Sequence, residues 1–220
     1  MPLARIGPKL VYFAHVPKCA GTAVEEYLQE RFDKLAFVDR RYAKLQEPWT
    51  STSPQHVIWQ DLKRLFPPGF FNASFAVVRH PVARLRSVFH WQRDWVRSVP
   101  EDITLDGFVD LVSQADPDSS YEYDNHLRPM HQFLGPHTRV YRIEDGLDPL
   151  VRWLDKVAGN EDGPRQISRR NETAQRLEVR GKIYAPQPIS DATHARIAAL
   201  YADDFTRFGY DAEVNSTKES

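Results

Sequence analysis

Three times along the chain a short apolar run gives way to a charged turn and then to apolar positions spaced three and four apart. Residues 10–14 (LVYFA) are followed by a break at Pro17 and then by Val24, Tyr27 and Leu28. Residues 75–78 (FAVV) are followed by Arg79, His80 and Pro81, then by Val82, Leu85, Val88 and Phe89. Residues 139–143 (RVYRI) lead through Glu144, Asp145 and Gly146 to Leu150, Val151, Leu154 and Val157. Unbroken β-branched and aromatic runs fit buried strands, and the three-and-four spacing fits one face of a helix. The alternating arginines of the third run fit an edge or a strand end with one wet face. Strand followed by helix, repeated, predicts an α/β fold with a central parallel sheet flanked by helices.

The remaining pattern fills in around these units. A helix is expected from Thr22 or Ala23, with Glu25 and Glu26 in its first turn, where the helix dipole favours negative charge. Residues 35–38 predict a short strand, and residues 60–66 a helix that stops at Pro67-Pro68-Gly69. Trp91, Trp95 and Val96 continue the helix begun at Pro81 until Pro100 ends it, and Leu105, Phe108, Val109, Leu111 and Val112 form the apolar face of another. Residues 116–120 and 159–185 read as loops. A last helix spans 191–206, started by Ser190 and Asp191, apolar at Ile197, Leu200, Tyr201 and Phe205, and stopped by Gly209. Residues 1–213 are thus expected to form one domain, with 214–220 a frayed tail.

Composition narrows the function classes. The 220 residues, 41% hydrophobic and 12% aromatic, suit one globular domain with a sizeable core. A formal net charge of −1 argues against a nucleic-acid-coating protein, so any anion recognition must be local. The basic group Arg40, Arg41 and Lys44 reads as a solvated face or as a site for an acidic substrate. One cysteine excludes an internal disulfide and gives no sign of an oxidising compartment. The first apolar run is only five residues long, against the roughly 20 a bilayer-spanning helix needs. A soluble enzyme is expected.

The first two turns carry the chemistry. A helix that starts directly after a strand presents unpaired N–H groups and a positive dipole end to an anion. Between them lies Pro17-Lys18-Cys19-Ala20-Gly21-Thr22: a point charge, a glycine that permits close approach or positive φ, and a hydroxyl. A plain strand–turn–helix with a surface lysine fits this stretch equally well. The nucleotide P-loop pattern is absent, because the lysine precedes the glycine. In the second turn Arg79 stands at a strand's carboxyl end, where ligands of parallel sheets bind, with Ser87 on the helix that follows. The planar fork of arginine suits a phosphate dianion.

Together the motifs HVPKCAGT and RHPVARLRS resemble the 5′-phosphosulfate and 3′-phosphate motifs of sulfotransferases that use 3′-phosphoadenosine 5′-phosphosulfate (PAPS), in particular the carbohydrate-type group that includes heparan and chondroitin sulfotransferases. The resemblance implies a P-loop-like α/β fold, PAPS as co-substrate and adenosine 3′,5′-bisphosphate as product. By it the loop Pro17, Lys18, Cys19, Ala20, Gly21, Thr22 and Ala23 holds the 5′-phosphosulfate, and Arg79 and Ser87 hold the 3′-phosphate. Arg170 and Asn171 are further candidates over the nucleotide. Cys19 and Ala20 stand where Thr-Gly is commoner, which leaves open any positive φ at Ala20. Animal Golgi relatives carry a membrane anchor, so a bacterial, cytoplasmic member is expected.

The acceptor side rests on histidines. The hydroxyl that attacks sulfur must lose a proton, and imidazole, with an ordinary pKa of about 6.5, matches that task. His56, in an S-x-Q-H stretch that resembles bacterial relatives, is the expected general base; a capping or packing histidine is its bland counterpart. His15 is expected to orient the phosphosulfate loop. His126 and Arg128 lie in a stretch similar to the family's H-x-R-P-Q region and are expected to bind the acceptor, a glycan or glycolipid hydroxyl or an amine. Trp49, Trp91, Trp95 and Tyr121 could stack on a sugar ring or belong to the core. No two histidines show a helical metal-ligand spacing, so no metal is expected. Two other classes remain: a P-loop-like kinase or nucleotide hydrolase, which would depend on magnesium, and a non-catalytic glycan-binding relative.

Overall fold

The computed structural model describes residues 1–42, 50–115, 121–168, 178 and 186–213. Its chain divides into two compact units. The first contains Met1–Arg79, Tyr121–His126 and Gln132–Arg170; the second contains His80–Ser120, Leu127–His131 and Asn171–Ser220.

The first unit is built on a four-stranded sheet in the order β1-β2-β3-β4. Here β1 is Leu3–Ile6, β2 Lys9–Ala14, β3 Ala73–Val78 and β4 Arg139–Arg142. β2, β3 and β4 run parallel, in register Ala14↔Ala76 and Val78↔Arg142. Their carboxyl ends therefore share one edge of the sheet. β1, which the sequence pattern did not announce, is antiparallel to β2. It is joined to β2 through Gly7, whose φ of 56° needs a residue free of Cβ strain. β4 is the far edge strand, which explains the arginines that alternate along it.

Helix α1 (Gly21–Phe32) follows β2, α2 (Trp59–Leu65) precedes β3, and α6 (Asp148–Ala158) follows β4. Val11, Phe13, Phe75 and Val77 of the sheet share a core with Val24, Tyr27 and Leu28 of α1 and Leu150, Val151 and Leu154 of α6. Each large side chain so buried contributes about 1.5–3 kcal/mol. At the rim of that core Asp155 of α6 accepts hydrogen bonds from Arg165, at 2.8 and 2.9 Å, and lies 2.7 Å from Arg31 of α1. On the other face of β2 the Tyr12 hydroxyl donates to the Phe133 carbonyl, and its ring stacks on Phe71.

Two expectations in this unit are corrected. Residues 35–38 form no strand: Ala36 makes an isolated bridge to Leu3, and Phe37 turns to a φ of 56°, which breaks extended pairing. Because α1 begins at Gly21, Glu25 falls past the first turn. It is buried, and its carboxylate meets His15 rather than the helix dipole.

The second unit is helical. α3 (Pro81–His90) opens with Pro81 at its first position and runs into a π-helical turn, Trp91–Val96, that ends at a left-handed Arg97, before Pro100 is reached. α4 (Leu105–Gln114) is capped by the Thr104 hydroxyl, which accepts from the Gly107 N–H. Phe89 packs on Phe108 between α3 and α4. Leu111, expected on the buried face of α4, is half exposed. The last helix is not continuous over 191–206: α7 (Asp191–Leu200) and α8 (Ala202–Phe208) meet at Tyr201, with φ −118° and ψ 30°. The break lets the Tyr201 hydroxyl donate to the Leu127 carbonyl, and Asp204 accept from the backbone N–H groups of Met130 and His131.

Candidate active site

At the shared edge of the parallel strands the chain leaves β2 through His15 to Ala20. Lys18 and Ala20 both take left-handed backbone, with φ of 64° and 62°. The positive φ that Ala20 left open is thus present, at a cost of about 1–2 kcal/mol for each non-glycine residue. α1 then starts at Gly21 with no side-chain cap, so its first N–H groups are offered to a ligand in the manner of an anion site. Thr22 caps nothing and lies half-buried in the first turn. Cys19 is buried, its thiol donating to the Pro17 carbonyl at 3.6 Å. Arg79, directly after β3, stands half-buried at the same edge of the sheet.

Gly21 is needed for close approach rather than for its dihedrals. A Cβ placed on it would lie 1.7 Å from His15 Nε2. His15 is held from behind by Glu25, Nδ1 to Oε1 at 2.7 Å. Burial drives the His15 imidazole below its ordinary pKa, against the pull of Glu25. Burial would raise Glu25, but the hydrogen bond and charge of His15, with Arg40 at 3.6 Å, hold its carboxyl below the usual value. A neutral imidazole donating Nδ1–H to a carboxylate satisfies both shifts, and it turns the Nε2 lone pair toward the loop.

His56 closes a short 3₁₀ turn, Pro54–His56. Its ring meets the His15 ring edge-on at 4.8 Å and the His126 ring at 5.2 Å. Its Nδ1 lies 2.7 Å from Asp124 Oδ2. The same carboxylate accepts from the Ser53 N–H at 2.6 Å and the Ser53 hydroxyl at 2.8 Å. Burial would raise the Asp124 carboxyl, but the charge and hydrogen bond of His56, then His126 and the Ser53 N–H, hold it well below the usual carboxylate range. Asp124 belongs to a four-residue segment, α5 (Glu122–Asn125), whose Tyr123, Asp124 and Asn125 all have φ between 51° and 62°. Three successive left-handed non-glycine residues are costly, and the short polar side chains of Asp124 and Asn125 pin the segment: Asp124 holds His56 and Ser53, and Asn125 donates to the His56 carbonyl at 2.8 Å.

The expected base, the loop histidine and the acceptor histidine thus come together from three segments. Asp124, Ser53, Asn125 and Glu25 were not anticipated as members of the group. The one available signal was an Asp-Asn pair, residue types that tolerate left-handed backbone. His56, Asp124 and His126 also have one potential ligand atom each within 4.8 Å of one another, the one such grouping among the described residues. Here His56 and Asp124 are bonded to each other.

In the second unit Ser87 is half-buried on α3. Arg84, from the same motif, is 2% exposed, donates to the Arg128 carbonyl at 2.8 Å and lies over the Tyr201 ring. Arg128 is itself buried. Trp91 and Trp95 stack on each other at 6.1 Å, and Tyr121 of the first unit is exposed. Trp49, Lys44, Arg170, Asn171 and the loop 116–120 lie outside the described residues.

A model of the sulfotransferase family matches residues 7–211 of the chain. No curated protein and no solved structure matches it. Among the described residues no helix is long and apolar enough to cross a membrane.

Proposed function

This chain belongs to the sulfotransferase family, and on that premise we propose that it moves a sulfuryl group from PAPS to a hydroxyl or amine of a carbohydrate-type acceptor, with His56 as general base. The observation that carries this reading is the loop between β2 and α1: left-handed at Lys18 and Ala20, it leads into an uncapped helix start beside Arg79 on the same sheet edge. Those features suit an anionic phosphosulfate, and the motif adds Ser87 and Arg170 for the 3′-phosphate and the nucleotide. The reading takes residues 1–213 as one catalytic domain, assigns His126 and Arg128 to the acceptor, and requires no metal.

The donor supplies the sulfuryl group in an in-line displacement and departs as adenosine 3′,5′-bisphosphate. Lys18 and the N–H groups of Gly21, Thr22 and Ala23 neutralise charge that builds on the bridging oxygen, an effect of about 10²–10³-fold by analogy with one oxyanion donor. His56 takes the acceptor proton, for about another 10²-fold or more. His15 packs against Gly21 and supports the loop.

Calorimetric titration with adenosine 3′,5′-bisphosphate, with AMP and with ATP plus magnesium as controls, tests the proposal. Tight binding of the bisphosphate that drops in Arg79→Ala and Ser87→Ala supports it and justifies an acceptor screen. Binding only to ATP with magnesium overturns it in favour of a kinase or nucleotide hydrolase. Bisphosphate binding without transfer to any acceptor supports the non-catalytic glycan-binding alternative.

A further inference from the structure

We infer that Asp124 is a positioning residue that fixes His56 as the Nδ1–H tautomer and so leaves Nε2 as the proton-accepting atom. The inference rests on the proposed role of His56 as base, and extends it to a residue in another segment of the chain.

The geometry carries it. An ionised carboxylate can only accept, so the 2.7 Å contact between Asp124 Oδ2 and His56 Nδ1 requires the proton on Nδ1. The carboxylate is not free to rotate away. Its other oxygen accepts from the Ser53 N–H, and the Ser53 hydroxyl donates to Oδ2 beside the imidazole. The next residue, Asn125, grips the main chain of His56 itself. Both side chains reach the His56 segment only because residues 123–125 adopt successive left-handed backbone. An extended or right-handed chain would send adjacent side chains elsewhere. Backbone strain kept at the point where two side chains converge on one histidine is the pattern of a site, not of a connection.

In the reaction the acceptor oxygen bonds sulfur while its proton passes to His56 Nε2. The bond from sulfur to the phosphate oxygen breaks, with its electron pair leaving on the bisphosphate. His56 becomes an imidazolium next to the Asp124 carboxylate, and the proton is then released to water. Asp124 holds the ring and stabilises the imidazolium without itself taking the proton. The rings of His15, which Glu25 holds, and His126 meet the His56 ring edge-on at 4.8 and 5.2 Å, and the Ser53 hydroxyl that donates to Asp124 also lies 3.2 Å from His56 Nδ1.

The tautomer is read directly by ¹⁵N NMR of histidine-labelled protein without any ligand, with His56 assigned by its loss in His56→Ala. The expected result is an Nδ1–H ring in the unmodified protein and a shift toward Nε2–H in Asp124→Asn. Asp124→Asn is also expected to lower kcat by about 10²-fold or more, with bisphosphate affinity unchanged and no further loss when combined with His56→Ala. Ser53→Ala, which keeps the carboxylate, is expected to keep the tautomer. An Nε2–H ring in the unmodified protein overturns the inference. So does an Asp124→Asn enzyme with unchanged kcat when His56→Ala is inactive, an outcome that leaves the base assignment standing. Full turnover in His56→Ala overturns both.

Discussion

The imidazole of His15 lies directly over Gly21: a Cβ built on the glycine would sit 1.7 Å from Nε2 and 2.2 Å from Cδ2. The obstacle is a ring anchored by Glu25, not the free end of a flexible chain. Gly21→Ala is therefore expected to displace the ring or the loop. Overpacking of this kind costs about 1–3 kcal/mol. Thermal unfolding should show the loss, and calorimetry should show weakened binding of adenosine 3′,5′-bisphosphate. A variant with unchanged melting temperature and affinity would show that the contact is dispensable.

Lys18 stands in the left-handed part of the same loop. Lys18→Ala removes the one ammonium of the turn and keeps the backbone N–H groups. Turnover is expected to fall by about 10²–10³-fold or more, the range for loss of one donor to a developing oxyanion. Steady-state kinetics with PAPS and a responsive acceptor measures it. Near-normal kcat would remove the lysine from the mechanism.

Arg84 lies between Arg79 and Ser87 in the motif RHPVARLRS, yet it is 2% exposed and bonded to the Arg128 carbonyl. Arg84→Ala leaves a cavity under the Tyr201 ring and an acceptor without its donor. The expected cost is on the order of 3 kcal/mol in urea unfolding. Wild-type stability would instead mark Arg84 as a binding residue.

His131 and Asp204 give the helical unit a dependence on pH. The hydrogen bond to Asp204 raises the His131 pKa above its ordinary value, against burial. A raised folded-state pKa means that the folded state binds the proton more tightly than the unfolded chain, whose imidazole titrates near about 6.5. The contribution is fully present below that value and is lost as pH rises through the folded value. His131→Gln should therefore lower the urea midpoint more at pH 5.5 than at pH 8.5. An equal gap at both values would remove the charge from the interaction.

The strand–turn–helix units were legible because burial imposes its period on the sequence. Residues 10–14 and 75–78 are continuous apolar runs because the strands they form are covered on both faces, and the helices after them show the three-and-four spacing of one buried side. β1 was not legible: four residues with one exposed arginine carry too little pattern, and only pairing with β2 makes them a strand. The break at Tyr201 was hidden for a similar reason. The apolar face of 191–206 is continuous in sequence, and the break pays off only through contacts with Leu127, Met130 and His131.

The sequence by itself determined the α/β class, the loop of Lys18 and Gly21 at a strand's end, Arg79 at the next strand's end, and His56 as the imidazole to watch. Those features are local: strand, turn and helix follow from neighbours a few residues apart. Only the tertiary structure decided that His15 belongs to Glu25, that Gly21 is required by a ring rather than by its dihedrals, and that Asp124 holds His56. Those partners are 10, 6 and 68 residues apart. The first two meetings depend on how the loop between β2 and α1 folds His15 back onto α1, and the third on the left-handed turn of residues 123–125; no periodicity in the chain encodes any of them.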